Sequence, residues 1–162
     1  IRWYHTVFQI EPRKAVMEIR PFIEQDRRAV VSLWKRCGLL VDWNHPDHDI
    51  DRKLRVQGEL FLVGLIDGKV VATAMGGYEG HRGWINYLAV DPGMRRKGLG
   101  RMMMERIEEG LAGMGCPKIN LQVRESNLEV IRFYEKIGYS SDHVIGFGKR
   151  FTDDPPFDPD QV

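Results

Sequence analysis

The stretch LAVDPGMRRKGLGRMMMERI, residues 88–107, constrains this chain more than any other. An apolar run ending at Val90 breaks at Asp91-Pro92-Gly93. Beyond Gly98 and Gly100, apolar residues recur at spacings of three and four: Leu99, Met102, Met103, Ile107, Leu111 and Met114. The pattern predicts a strand, a turn and an amphipathic helix in direct succession. A helix start leaves backbone N–H groups without partners, and glycines there let a ligand approach the backbone. Arg95, Arg96 and Lys97 add positive charge just before it. Charge-assisted hydrogen bonds contribute about 1.5–3 kcal/mol each, and a helix terminus adds about 0.3–1 kcal/mol. Several of each would hold a pyrophosphate. Taken alone, the same residues also read as a basic helix cap whose glycines serve only the turn.

Two common phosphate loops do not fit. Neither Gly68-Lys69 nor Gly148-Lys149 has the Ser or Thr and the preceding glycine of a nucleoside-triphosphate loop. The dinucleotide fingerprint G-x-G-x-x-G meets Met103 at its third glycine and lies late in the chain, after hairpin-like strands.

The remaining segments give the order β-α-α-β-β-β-α-β-α-β. A short strand MEIRPF leads into a helix with Val30, Leu33, Trp34 and Cys37 on one face, ended by Gly38. The loop LLVDWNHPDHDID follows, with Asp42, Asp47, Asp49 and Asp51, and then a short helix through Leu54 and Val56. ELFLVGLI and KVVATAMGGY form a hairpin at Asp67-Gly68, and WINYLAV is the next strand. After the long helix, KINLQV reads as a buried strand. Ser126 or Asn127 caps a helix ended by Gly138, and a last strand starts at Tyr139. The acidic, proline-rich end DDPPFDPDQV is expected to be extended or mobile.

Length and composition bound the rest. The 162 residues, 43% of them hydrophobic, suit one domain. A net charge of +1 gives no global field for nucleic acid or membrane. No apolar run reaches the ~18 residues of a spanning helix. Cys37 and Cys116 stand apart without a metal-ligand cluster, so neither a disulfide framework nor a metal is expected, and a reducing, cytoplasmic setting is. His45-x-x-His48 with Asp47 and Asp49 lacks the helix or third ligand a metal reading needs. Met17 stands directly before the first strand, so residues 1–16 are set apart as an N-terminal extension, 17–151 as the functional domain and 152–162 as the tail.

The block Arg95-Arg96-Lys97-Gly98-Leu99-Gly100 resembles the [Q/R]-x-x-G-x-[G/A] signature of the Gcn5-related N-acetyltransferase (GNAT) family. A second block agrees: Asn127, then a helix ending in Tyr134-Glu135-Lys136-Ile137-Gly138-Tyr139, similar to Y-E-x-x-G-[F/Y]. The resemblance runs from about Met17 to about Arg150. Within the family, CGLLVDWNHPDHDI, MGGYEGHRG and GCPKI look most like the bacterial YpeA-type acetyltransferases.

The resemblance implies an α+β GNAT fold with a mixed, mostly antiparallel sheet splayed where the cosubstrate acetyl-CoA enters. Leu88, Ala89 and Val90 would pair with the pantetheine arm. Arg95, Arg96, Lys97, Gly98, Leu99, Gly100 and Arg101 would cradle the pyrophosphate, and Asn127 would touch the cofactor, alongside its reading as a helix cap. Tyr134 matches the general acid that protonates the departing thiolate; outside this motif it would read as a core tyrosine. At the strand position where acetyltransferases of protein N-termini often have a glutamate base, this chain has Gln122, which cannot take a proton. Deprotonating a lysine-like amine at pH 7 costs about 4.6 kcal/mol, and an α-amine only about 1–1.4 kcal/mol. The proton otherwise leaves through water to Glu79, His81 or Glu125, each of which reads equally as a solvated loop residue. The acidic loop Leu39 to Ile50 and the turn YEGHRG would shape the acceptor groove, and the four aspartates suggest a cationic amine, although aspartates also simply favour turns.

The function implied is acetyl transfer from acetyl-CoA to a primary amine, on a small molecule or a protein, by direct attack in a ternary complex. A homodimer fits this picture. The alternatives are a non-catalytic acyl-CoA-binding regulatory protein of the same fold and, third, a nucleic-acid-binding module, which the small Arg95 to Lys97 cluster supports poorly.

Overall fold

The computed structural model describes residues 16–158 and Asp160; of the N-terminal extension, residues 1–15 lie outside this range, as do residues 159, 161 and 162 of the tail. The elements are β1 (Glu18–Pro21), α1 (Arg27–Arg36), α2 (Pro46–Leu54), β2 (Phe61–Ile66), β3 (Lys69–Tyr78), β4 (Gly83–Val90), α3 (Leu99–Gly113), β5 (Ile119–Asn120) and α4 (Leu128–Lys136). The strands form one sheet in the order β1-β2-β3-β4-β5. Pairing is antiparallel as far as β4 and parallel between β4 and β5.

β2 reads FLVGLI and is buried along its whole length, as is the centre of β3. Apolar runs of this kind need helix cover on both sheet faces. On one face α3 contributes Met103, Met104, Ile107 and Leu111, and Tyr134 of α4 joins the same cluster. On the other α1 contributes Val30, Val31, Leu33 and Trp34. Each such side chain stabilises the fold by about 1.5–3 kcal/mol when fully buried. The β2–β3 hairpin turns at Asp67 and Gly68, both at positive φ (50° and 73°).

One irregularity shapes the sheet. Met75 of β3 stands opposite Asn86 of β4, but Thr73 stands opposite Ala89, so β4 holds one extra residue. The extra residue makes a β-bulge at Tyr87, whose φ is 51°. Three elements pin it. Trp34 of α1 donates from Nε1 to Thr73 Oγ1 at 2.9 Å, and Thr73 Oγ1 donates to the Tyr87 carbonyl at 2.9 Å. The Trp34 and Tyr87 rings stack at 4.0 Å, and Tyr87 Oη donates to Asp49 of α2 at 2.5 Å. The bulge shifts the side-chain alternation, so Ile85, Leu88 and Val90 all join the α3 cluster.

Three expectations change and a fourth is sharpened. The strand KINLQV pairs with β4 at only two residues, Ile119 and Asn120. The last strand from Tyr139 is absent: residues 139–150 are irregular, with Val144 79%, Ile145 83% and Phe147 95% exposed. Gly146 and Gly148 interrupt that run, and the short β5 offers it little edge to pair with. The second helix begins at Pro46, so Asp47, Asp49 and Asp51 lie on α2 rather than in a loop. Pro at the first helical position with Asp47 and Asp49 in the first turn explains that earlier start. The tail is extended but docked. Asp154 bonds Arg52, accepts from the His45 backbone N–H at 3.0 Å, and lies 3.5 Å from His48 Nδ1, while the Phe157 ring packs edge-on to His45 at 5.1 Å.

Candidate active site

β4 and β5 pair at Gly83–Ile119 and Trp84–Asn120 and nowhere beyond. Past that point, the β5-facing side of β4, including Leu88, Ala89 and Val90, has no strand beside it. An extended chain can therefore enter between the two.

The basic loop stands at the far end of this opening. After Val90, Asp91 accepts from the Gly93 N–H at 2.9 Å and starts a short 3-10 turn, Pro92–Met94. The backbone then takes positive φ at Arg96 (62°) and at Gly98 (80°), where α3 begins. Left-handed backbone at Gly98 suits a residue without Cβ. The first helical bond runs from Met102 N–H to the Gly98 carbonyl at 3.1 Å, which leaves the preceding N–H groups of the first turn without intrahelical partners. Arg95, Arg96 and Lys97 are exposed and form no ion pair among the described residues, and Arg101 lies only 3.9 Å from Glu105. Gly100 permits a close approach: a Cβ there would stand 3.2 Å from Phe133 Cζ and 3.6 Å from Val90 Cγ2. Its absence lets the start of α3, the end of β4 and α4 meet at one place.

From α4, Asn127 caps the helix, its Oδ1 accepting from Val130 N–H at 3.4 Å, and remains exposed. Tyr134 is buried (9% exposed) between the rings of Phe133 and Tyr139, at 5.1 and 5.6 Å. Its hydroxyl has no hydrogen-bond partner among the described residues. Burial pushes its pKa up to about 12, so it is a protonated phenol at neutral pH. Cys37 sits under the end of β4, its thiol donating to the Val90 carbonyl at 3.3 Å. Burial pushes that thiol up, with Arg95 beside it acting the other way, and the raised value makes it a poor nucleophile.

The three proton-acceptor candidates are not brought together. Glu79 and His81 lie in the β3–β4 turn, where Glu79 accepts from the backbone N–H groups of His81 at 3.2 Å and Arg82 at 2.6 Å. From Gly83 to Ala89 the strand extends for about 20 Å, so this turn is remote from the basic loop. Glu125 is exposed and close in sequence to Asn127. The acidic patch expected to meet an acceptor is largely consumed. Arg27 bonds Asp47 at 3.2 Å and Asp51 at 2.7 Å, and Asp49 is shared by Tyr87 and Arg52. Asp42 alone of the four is exposed without an ion pair among the described residues.

Some features lay beyond reach of the sequence. The bulge left no trace because nearly every residue of WINYLAV is apolar, which hides a shift in alternation. A surface hollow between α1 and the β2–β3 turn, lined in part by Ser32, Arg36, Lys69 and Asp91, borders the turn that follows β4. Among the described residues, no group of three or more His, Cys, Asp or Glu stands close enough to hold a metal ion, and no helix is long and apolar enough to cross a membrane.

Known proteins resemble this chain in sequence and fold. The family model "Acetyltransferase (GNAT) family" matches residues 23–139. An acetyltransferase of Pectobacterium atrosepticum is 48% identical over 138 residues, covering 85% of this chain and 98% of that protein. The crystal structure of Ard1 from Thermoplasma volcanium superposes with a TM-score of 0.66 at 27% identity, over 76% of this chain and 82% of that one. AAC(6')-Iy in complex with the bisubstrate analogue CoA-S-monomethyl-acetylneamine shares the fold, with a TM-score of 0.70 at 15% identity, over 85% of this chain and all of that one. A matching family model across most of the chain, a close relative and the observed fold agree: this chain belongs to the GNAT family of acetyltransferases and is an acetyl-CoA-dependent acyltransferase.

Proposed function

We propose that the protein moves the acetyl group to a primary amine, by direct attack within a ternary complex and without a covalent enzyme intermediate. The observation that carries this reading is Tyr134: a mostly buried, protonated phenol whose hydroxyl has no protein partner among the described residues and stays open to solvent, on the helix that packs over Gly100 and the end of β4. The chain fits acetyl-CoA, with an unpaired cationic loop beside free N–H groups for the pyrophosphate and an unpaired strand edge for the pantetheine amides. When bound, acetyl-CoA supplies an activated thioester. Residues Arg95 to Arg101 hold the pyrophosphate, Leu88 to Val90 offer backbone groups to the pantetheine arm, and Asn127 lines it while still capping α4.

Tyr134 donates toward the leaving sulfur. Complete transfer from a phenol near 12 to a thiolate of pKa ~8.5 costs about 5 kcal/mol, so its task is a hydrogen bond to charge developing on sulfur, made good by the proton the amine releases. That proton leaves through water. Of the three candidates Glu125 lies nearest in sequence to Asn127, whereas Glu79 is already engaged in its own turn. The working domain is residues 17–151, resembling the YpeA-type members in a reducing cytoplasm. The test is incubation with acetyl-CoA and a panel of small amines, aminoglycosides and peptides, read by mass spectrometry. An acetylated amine with released CoA supports the reading. Tight acetyl-CoA binding with no acetylated product from any member overturns it in favour of a regulatory protein.

A further inference from the structure

Beyond β5 the chain stays extended for a few residues. Leu121 and Val123 pack toward the α3 cluster, as Ile119 does, while Gln122 and Arg124 are exposed. Alternation therefore turns Asn120, Gln122 and Arg124 to the other face, the side of α1 and α2. Arg124 confirms this by its contact: its guanidinium carbon lies 5.8 Å from the centroid of the Trp43 ring, in the α1–α2 connection. Arg150 reaches Trp43 from the C-terminal segment, donating to its carbonyl oxygen at 2.9 Å, with Asn44 Oδ1 at 3.5 Å. Neither arginine forms an ion pair among the described residues. Trp43 itself is 50% exposed. Two guanidinium groups without an ion pair, one over an indole and one tethered to its backbone, thus converge on Trp43, the first of them from the segment that follows β5. Of the four aspartates on this side, Asp47, Asp49 and Asp51 are spent on Arg27, Arg52 and Tyr87, and Asp42, next to Trp43 in the chain, is exposed without an ion pair among the described residues.

A second anomaly lies on the same face. Asn120 stands on the last paired rung before β4 and β5 part, opposite Trp84. Its Oδ1 is buried and has no hydrogen-bond partner among the described residues. A carboxamide oxygen without a donor is costly unless a ligand or water supplies one.

We infer that the acyl acceptor is an amine that also carries an oxyanion, a carboxylate or a phosphate ester. Arg124 and Arg150 grip the anion, and Asn120 Oδ1 takes an N–H of the amine. The inference rests on the acetyl-transfer reading and narrows its substrate class. Guanidinium forks match planar or tetrahedral oxyanions, and stacking on Trp43 holds one fork in place before the ligand arrives. This acceptor differs from the purely cationic amine that the four aspartates suggested.

Two readouts test it. In the first, CoA thiol release is followed with matched amines: phosphoethanolamine against ethanolamine, and alanine against alaninamide. At least one anionic member is expected to have a kcat/KM tenfold or more above its neutral partner. That preference should shrink to within about threefold in Arg124→Gln and Arg150→Gln, with acetyl-CoA affinity unchanged. Asn120→Ala should raise the KM of the amine. Equal use of both members, or a preference that survives both arginine variants, overturns the inference. The second readout needs no chemistry: inorganic phosphate and, separately, succinate are titrated while tryptophan fluorescence is followed, with Trp43→Phe marking which indole responds. Saturable quenching lost in both arginine variants supports the site, and the better of the two anions tells phosphate from carboxylate. No saturable response, or one unchanged in the variants, overturns it. Quenching without thiol release from any amine upholds the anion site and removes the acetyl-transfer reading.

Discussion

Tyr134 is the residue on which chemistry and packing are most directly opposed. Its ring is buried, but its hydroxyl has no protein partner among the described residues and is not sealed from solvent, so the hydroxyl itself contributes little to the fold. Tyr134→Phe should therefore leave neutral-pH stability unchanged or slightly raised, measured by urea unfolding. Its effect should fall on turnover, which we expect to drop by about 10²-fold or more, as for loss of a general acid, with acetyl-CoA affinity nearly unchanged. A variant as fast as the wild type would remove Tyr134 from the reaction. This residue was legible because Tyr134 to Tyr139 match a motif with fixed spacing. Asn120 and Trp43 were not legible, because what distinguishes them is a missing partner and a shared neighbour, and both are properties of three-dimensional placement.

At the scale of elements, the strand, basic loop and helix from β4 into α3 form the unit proposed to hold the pyrophosphate. Its parts could be read in advance because each depends on local backbone chemistry: Gly98 takes φ of 80°, and the arginines precede a free helix start. Arg95→Ala and Arg96→Ala should each weaken acetyl-CoA binding roughly tenfold, the lower end of a charge-assisted bond of about 1.5 kcal/mol, and should reduce the salt dependence of that binding. Calorimetric titration at two ionic strengths checks both, and unchanged affinity would remove the loop from pyrophosphate binding. The strand expected from Tyr139 failed for the opposite reason. Strand pairing is set by a neighbour distant in sequence, and the two-residue β5 supplies almost none. The bulge at Tyr87 belongs with it: Trp34, Thr73 and Asp49 hold it from three separate elements, none adjacent to it in the chain.

For the whole molecule, the two apolar clusters on either face of the sheet were visible as periodicity, but the polar connections that lock helices to strands were not. Two of those connections run through phenols, Tyr87 to Asp49 and Tyr139 to Glu108, and a third phenol, Tyr134, is largely buried without one. The Tyr134 hydroxyl is pushed up to about 12 by burial. Tyr87 and Tyr139 are also raised, first by burial and then by the carboxylates of Asp49 and Glu108 that accept their protons. In each case the folded state holds its proton more tightly than an unfolded chain, whose phenols titrate near ~10. Between these two values the unfolded state binds fewer protons, so stability must fall as pH rises. The contribution is fully present below pH ~10 and is lost as pH passes through the folded values, about 12 for Tyr134 and higher for the other two. Tyr134 alone accounts for a loss on the order of 2–3 kcal/mol across its two-unit window. Urea midpoints measured from pH 8 to 12 should therefore hold steady to about pH 10 and then fall steeply. Tyr134→Phe should flatten part of that fall, because phenylalanine has no proton to lose, while Tyr87→Phe should release the bulge from Asp49 and destabilise the protein even at neutral pH. A wild-type midpoint unchanged through pH 12, or a Tyr134→Phe profile that overlies it, would show that these phenols do not carry the alkaline stability of the fold.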